Sequence, residues 1–432
     1  MAKVTTARAA ASTIRDGATV AITGSGGGLL EADAVMAAIE SRFLDTGHPR
    51  DLTLVHALGV GDGTGSGVGR FAHEGLVKRV IGGHWAWAPA MQTLARKNLI
   101  EAYVLPAGVL STLFREIGAH RPGVITEVGL DTFVDPKHGG GKANARANED
   151  LVERVMFDGR PYLRYKPFHI DTGIVRASHD EQRQTHAGAY DPALSGEAAR
   201  SEESEGDAPE GVRRIIAARA TRELRPGASV NFGYGMPAAI VGLLNAEEKA
   251  ALWGTIEQGG HNGDLIDGPL FGASRYPQAI VSSLDQFDFY SGGGVDIAFL
   301  GMGEMDAHGN VNVSRLGDSV VGPGGFMDIT RKARKVVFCG TFEAKGLRVE
   351  QDGDGIAIRN PGSVPKLVPE VREITFSGAE ARRATQEVLY VTERAVFALD
   401  EMGVTLIEVA GGIDRQRDVL DRMGFRPRIA CA

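Results

Sequence analysis

The pattern Arg15-Asp16-Gly17-Ala18-Thr19-Val20 returns as Arg225-Pro226-Gly227-Ala228-Ser229-Val230. A helix-patterned segment precedes each copy, and each copy runs into a short β-prone stretch. A glycine-punctuated turn follows both stretches, Gly24-x-Gly26 in the first and Gly233-Tyr234-Gly235-Met236-Pro237 in the second. The next strand is also matched. Thr53–Leu58 leads to Gly59-Val60-Gly61, and Leu252–Ile256 leads to Glu257-Gln258-Gly259. A chain that repeats one strand-and-turn program folds as two similar bodies. Strands alternating with helical patterns imply βαβ units. The spacing therefore predicts an α/β protein of two related domains, each an open, mostly parallel β-sheet flanked by helices. Between the copies, Glu197 to Glu210 holds six acids against Arg200 alone, mixed with Ser, Gly and Pro. Such a stretch is solvated rather than packed. The resulting division is 1–180, an acidic linker at 181–211, and 212–432.

Several function classes drop out. The first turn lacks the dinucleotide fingerprint, because Leu29 stands where a glycine is required. A net charge of −8 without a basic patch argues against nucleic acid as a partner. No apolar run reaches the roughly 18 residues of a membrane span. Cys339 and Cys431 are far apart and have no His or Cys at metal-ligand spacing, so no metal site is expected and a reducing, cytoplasmic setting is. The basic, acid-free start (Lys3, Arg8, Arg15) reads as a first helix, Thr5 to Ile14, because strand Thr19–Thr23 begins at once.

In the register of the repeat, the first half has Ala57 where the second has Glu257. The fold alone does not demand a carboxylate there. Ligands of open α/β sheets gather at the carboxyl ends of strands, and glycine lets them approach the backbone. Glu257 is thus a candidate nucleophile or general base, or a plain turn residue. Ser25 and Ser282 have no partner at motif spacing, and His56, His84, His261 and His308 read as turn or core residues. Backbone N–H groups in glycine-rich turns suit an oxyanion or a phosphate. A carboxylate beside them can attack a thioester, form an acyl anhydride, and retain the returning thiolate as a glutamyl thioester, with ping-pong kinetics.

Thr255-Ile256-Glu257-Gln258-Gly259-Gly260 resembles the catalytic glutamate motif of the family I coenzyme A transferases. Asn231-Phe232-Gly233-Tyr234-Gly235-Met236-Pro237 is similar to that family's turn at the start of the second domain. Phe287 to Asp296, Asp306 to Ser314 and Gly324 to Thr330 resemble its short-chain acetate, propionate and acetoacetate branch. So do Ala72 to Leu76, Arg79 to Trp85, Arg121 to Gly123 and Thr132 to Pro136 in the first half. The resemblance implies ping-pong transfer of CoA between short-chain acids, among them acetate, propionate and 3-keto acids, as in short-chain fatty acid and ketone body metabolism. It implies Glu257 as nucleophile and carrier, Gly301 and Gly303 beside the thioester oxygen, and Gly233, Gly235, Gly259, Gly260, Gly324 and Gly325 against CoA. CoA would be substrate and covalent intermediate, with no tightly bound cofactor. The expected assembly is a homodimer or homotetramer.

Two departures from the family pattern qualify this. After Asp180 a helix-and-strand segment of the first domain is missing, which predicts an unpaired sheet edge. Ala107, in Leu105-Pro106-Ala107-Gly108, stands where many relatives carry a glutamine that holds the thioester oxygen. Two other readings therefore stay open at this point: a catalytically impaired CoA-binding or oligomer-interaction protein, and an acyl-CoA hydrolase using the same Glu257.

Overall fold

The computed structural model describes residues 4–27, 31–176, 185–186, 189–198, 208–266 and 270–430. The repeat is visible in its hydrogen bonds. Gly17 and Gly227 take φ of 73° and 81°, which glycine adopts without strain. Their N–H groups donate to Arg50 O at 2.8 Å and Ala251 O at 2.6 Å. The strands that follow, Thr19–Ile22 and Ser229–Phe232, each lie between two parallel neighbours. On one side Thr19 faces Thr53 and Ser229 faces Trp253; on the other Val20 faces Thr172 and Val230 faces Ile297. An aspartate just before each of these latter strands accepts the first N–H of the repeat strand. Asp171 takes Thr19 N and Asp296 takes Ser229 N, both at 2.9 Å. The matched register gives Ala57 and Glu257 equivalent positions in their own copies.

The chain divides into two compact units. The first contains the described residues up to 198, together with those of 268–275 and 314–328. Both of these last segments fall inside the 212–432 stretch. The main sheet of the first unit is all parallel, ordered Glu101–Val104, Val77–Gly82, Leu52–His56, Thr19–Ile22, Thr172–Ile174. Helices Asp33–Thr46, Pro89–Arg96 and Ala107–Gly118 alternate with its strands. Val20, Leu54, Val80 and Ala102 are fully buried, as expected for a parallel sheet covered on both faces. Arg160–Tyr165 belongs instead to a small antiparallel sheet with Val124–Thr126 and Val152–Phe157. Thr172–Ile174 is the terminal strand of this sheet among the described residues. Val175 beyond it is 64% exposed. The predicted junction at Asp180 lies outside the described residues.

The second unit carries a ten-stranded sheet among the described residues. Its centre is parallel: Trp253–Thr255, Ser229–Phe232, Ile297–Gly301, Lys335–Cys339, Glu387–Val391. Short antiparallel strands, Gly260–His261 and Ala279–Ile280, extend the edge next to Trp253–Thr255. The opposite flank adds Ala395–Asp400 and Gly403–Val409. Here Ile297–Gly301 is covered by two further parallel strands, whereas its counterpart Thr172–Ile174 has no further neighbour among the described residues. The stretch 287–290 is helical, within Ser283–Ser291, and Ser282 caps that helix by accepting Asp285 N at 3.1 Å.

Candidate active site

The strand before Glu257 is shorter than its apolar run suggests. It ends at Thr255, and the chain reverses at once. Gly259 N donates to Ile256 O at 2.9 Å, and Ile256 N donates to Gly260 O at 3.0 Å. Glu257 and Gln258 are therefore the two central residues of a β-turn closing an antiparallel hairpin, with Thr255 opposite His261. The turn is fastened from outside as well. Ser283 Oγ donates to Glu257 O at 3.2 Å, and Val281 N donates to Gly259 O at 2.9 Å. Gln258 Nε2 reaches Glu257 Oε1 at 3.4 Å. The Glu257 side chain is half-buried.

Gly259 makes this turn possible. Its φ is 102°, and a Cβ there would lie 2.0 Å from Val281 O. Gly259→Ala is expected to lower stability by about 2 kcal/mol or more, from backbone strain plus the clash. It should cut turnover more than tenfold, because a displaced reacting group loses orientation. A thermal melt and a steady-state assay check this, and wild-type values in both would refute it.

Below the turn lies a polar cluster that the sequence did not signal as functional. Asn231, buried in the repeat strand, donates Nδ2 to Thr255 O and to the Tyr290 hydroxyl, both at 3.1 Å. Tyr290 OH donates to Thr255 Oγ1 at 3.3 Å. Burial pushes the Tyr290 phenol above its ordinary range, and the Glu257 charge adds to that. Asn231 Oδ1 and Gln258 Oε1 are buried without a hydrogen-bond partner among the described residues. The available signal was a polar side chain inside a β-run, Val230-Asn231-Phe232, which needs a reason to be buried.

Six of the eight predicted glycines share the unit of Glu257: Gly233, Gly235, Gly259, Gly260, Gly301 and Gly303. Gly233 N donates to Phe299 O at 2.8 Å, which joins the turn after Ser229–Phe232 to the neighbouring strand. Gly301 ends its strand in open space, where an added Cβ would meet only Tyr234 O at 4.0 Å. The Gly303 N–H is already donated to Asn312 O at 3.1 Å. Gly324 and Gly325 fall in the first unit. There Gly324 O accepts Ala107 N at 2.9 Å, Gly324 N donates to Gly83 O at 3.0 Å, and Asp328 Oδ2 accepts Gly108 N at 3.0 Å. Ala107 is the buried first residue of helix Ala107–Gly118.

The four histidines have structural surroundings. His56 bonds Leu58 O through Nδ1 at 2.9 Å, and burial pushes its pKa down to about 4. Burial, with His56 nearby, also brings His84 to about 4. His261 Nδ1 accepts the Trp253 indole N–H at 2.9 Å. His308 is exposed in a turn, its N–H donating to Asp306 Oδ1 at 2.9 Å. Among the described residues no group of His, Cys, Asp and Glu could hold a metal ion.

An α/β scaffold with a lone carboxylate on a glycine turn at a strand's carboxyl end agrees with what the chain is similar to. The coenzyme A transferase family profile matches residues 3–185. The acetate CoA-transferase YdiF of Escherichia coli K12 is 36% identical over 493 residues, covering 99% of this chain and 93% of that protein. The caffeate CoA-transferase of Acetobacterium woodii is 36% identical over 503 residues, covering 100% of this chain and 95% of the relative. A solved structure of the E. coli O157:H7 acyl-CoA transferase YdiF, a thioester complex with CoA, superimposes with a TM-score of 0.89 at 33% identity, covering 99% of this chain and 93% of that one. The chain is thus an enzyme of the CoA-transferase class. It belongs to the family I coenzyme A transferases. An alignment of 493 positions against 432 residues leaves at least 61 positions of YdiF without a counterpart here.

Proposed function

We propose that this chain moves CoA from a short-chain acyl-CoA to a carboxylate such as acetate, propionate or a 3-keto acid, through a Glu257–CoA thioester. The observation that carries the reading is the Glu257 turn, fixed by Gly259, Gly260 and Ser283 and absent from the matching position of the first half. A Glu257 oxygen attacks the acyl carbonyl, the C–S bond breaks, and CoA thiolate leaves an acyl–glutamyl anhydride. The thiolate then attacks the Glu257 carbonyl carbon. The anhydride C–O bond breaks, the first acid departs, and the glutamyl thioester remains. A second carboxylate reverses these steps and carries CoA away. Gly301, open at the end of its strand, is the member of the Gly301–Gly303 turn that faces ligand in this reading, because the Gly303 amide is engaged. The working form is a cytoplasmic homodimer or homotetramer, which light scattering would test.

Incubation with acetyl-CoA and no acceptor, followed by borohydride, should reduce Glu257 to the alcohol in its peptide. An unmodified peptide from protein that still binds CoA would refute the thioester. CoA release at one rate with and without acceptor would identify a hydrolase instead.

A further inference from the structure

The Lys366 side chain is half-buried and forms no hydrogen bond or ion pair with any described residue. Its ammonium lies 2.9 Å from where a Cβ on Gly340 would sit, a point also 2.9 Å from Met302 O. Met302 and Gly340 directly follow the parallel strands Ile297–Gly301 and Lys335–Cys339. The lysine thus stands at the carboxyl edge of the sheet, the edge on which Glu257 follows Trp253–Thr255. Its backbone is pinned there, since Met305 N donates to Lys366 O at 2.8 Å. Burial lowers its pKa to about 8, against the pull of Glu393. Glu393 itself is engaged, by Phe342 N and Arg394 Nε, each at 2.8 Å. An ammonium partly removed from water, beside a carboxylate whose oxygens are already bonded elsewhere, is stabilised when an anion arrives.

We propose that Lys366 is a subsite for a phosphate of CoA. The reacting carboxylate must bond to Glu257 and so cannot lie at Lys366. Two to three strand spacings, roughly 10–14 Å, separate the two along the sheet edge. The phosphates of CoA, held away from the thiol by the pantetheine arm, are the anion suited to that separation. The assignment rests on CoA being the substrate.

The test uses the full chain with Lys366→Met and Lys366→Arg. Lys366→Met should raise the Kd for CoA by calorimetry, and the KM for acetyl-CoA, about tenfold, the worth of one charge-assisted hydrogen bond. The KM for acetate and kcat/KM with acetylpantetheine, which has no phosphate, should not change. Lys366→Arg should restore CoA affinity. A thermal melt at the wild-type temperature shows that Lys366→Met is folded, as expected for a side chain without partners. An unchanged Kd for CoA, an equal loss with acetylpantetheine, or a raised KM for acetate would each overturn the proposal. Lys366-dependent CoA binding without a reducible Glu257 thioester would refute the transfer mechanism and leave the subsite standing.

Discussion

Glu257→Ala should abolish CoA exchange, lowering kcat on the order of 10⁴-fold or more, while the Kd for CoA should stay close to the wild-type value. The expected size is that of losing the proposed nucleophile rather than a helper, since residues that form a covalent bond carry losses of this order. Retained binding follows from the local structure. The bonds that shape the turn run through backbone atoms: Gly259 N to Ile256 O, Ile256 N to Gly260 O, and Ser283 Oγ to Glu257 O. Alanine keeps all three. Glu257→Asp separates charge from placement, because it keeps a carboxylate but withdraws it by one methylene, and misplacement on the order of 1 Å costs about 10²-fold. The measurement is isotope exchange between acetate and acetyl-CoA beside calorimetric CoA binding. Exchange by Glu257→Ala within tenfold of wild type would sink the nucleophile assignment.

The features that were legible in the sequence share one property: they repeat, or they break a repeat. The Gly17 and Gly227 turns are plain in the sequence because a left-handed residue and a following strand leave a local signature. Glu257 was noticeable because Ala57 occupies its place in the other copy. The elements around the site depend on partners distant in sequence and could not be read so directly. Leu252 to Ile256 reads as one strand, yet it closes at Thr255 because Gly260 turns back and finds Ala279–Ile280 waiting. Ser283 reaches Glu257 across 26 residues, and Tyr290 reaches Asn231 across 59. Family likeness alone puts Gly324 and Gly325 against CoA; the bonds of Gly324 to Gly83 and Ala107 in the first unit have no local sequence signal. The return of 314–328 to the first unit follows from packing, not from local propensity. Whether the first domain has an unpaired edge turns on residues after 176 that lie outside the described ones.

Glu393-Arg394 illustrates the same limit and gives the second large effect. Adjacent opposite charges at a hairpin turn are usually solvated. In the fold both are buried, and Arg394 is 0% exposed. Its Nε donates to Glu393 Oε1 at 2.8 Å, Nη2 to Glu343 Oε2 at 3.2 Å, and Nη1 to Asp418 O at 3.0 Å. The guanidinium carbon also stands 4.5 Å from the centre of the Phe342 ring. One side chain thus ties the 392–395 hairpin to the 342–343 loop and to the segment at 418. Arg394→Met should cost about 3–5 kcal/mol, because it strands carboxylates that the low-dielectric interior cannot solvate. Glu343 keeps Arg422 at 2.6 Å, so most of the cost falls on Glu393. Arg394→Met with Glu393→Gln should therefore recover a large part of the loss, although each change alone destabilises. Arg394→Lys should not rescue, since an ammonium cannot serve three acceptors in the plane of a guanidinium. Urea unfolding of wild type and these four variants checks this, with the coupling read from the double-mutant cycle. Additive losses within about 0.5 kcal/mol would show that Glu393 does not depend on Arg394 for its burial.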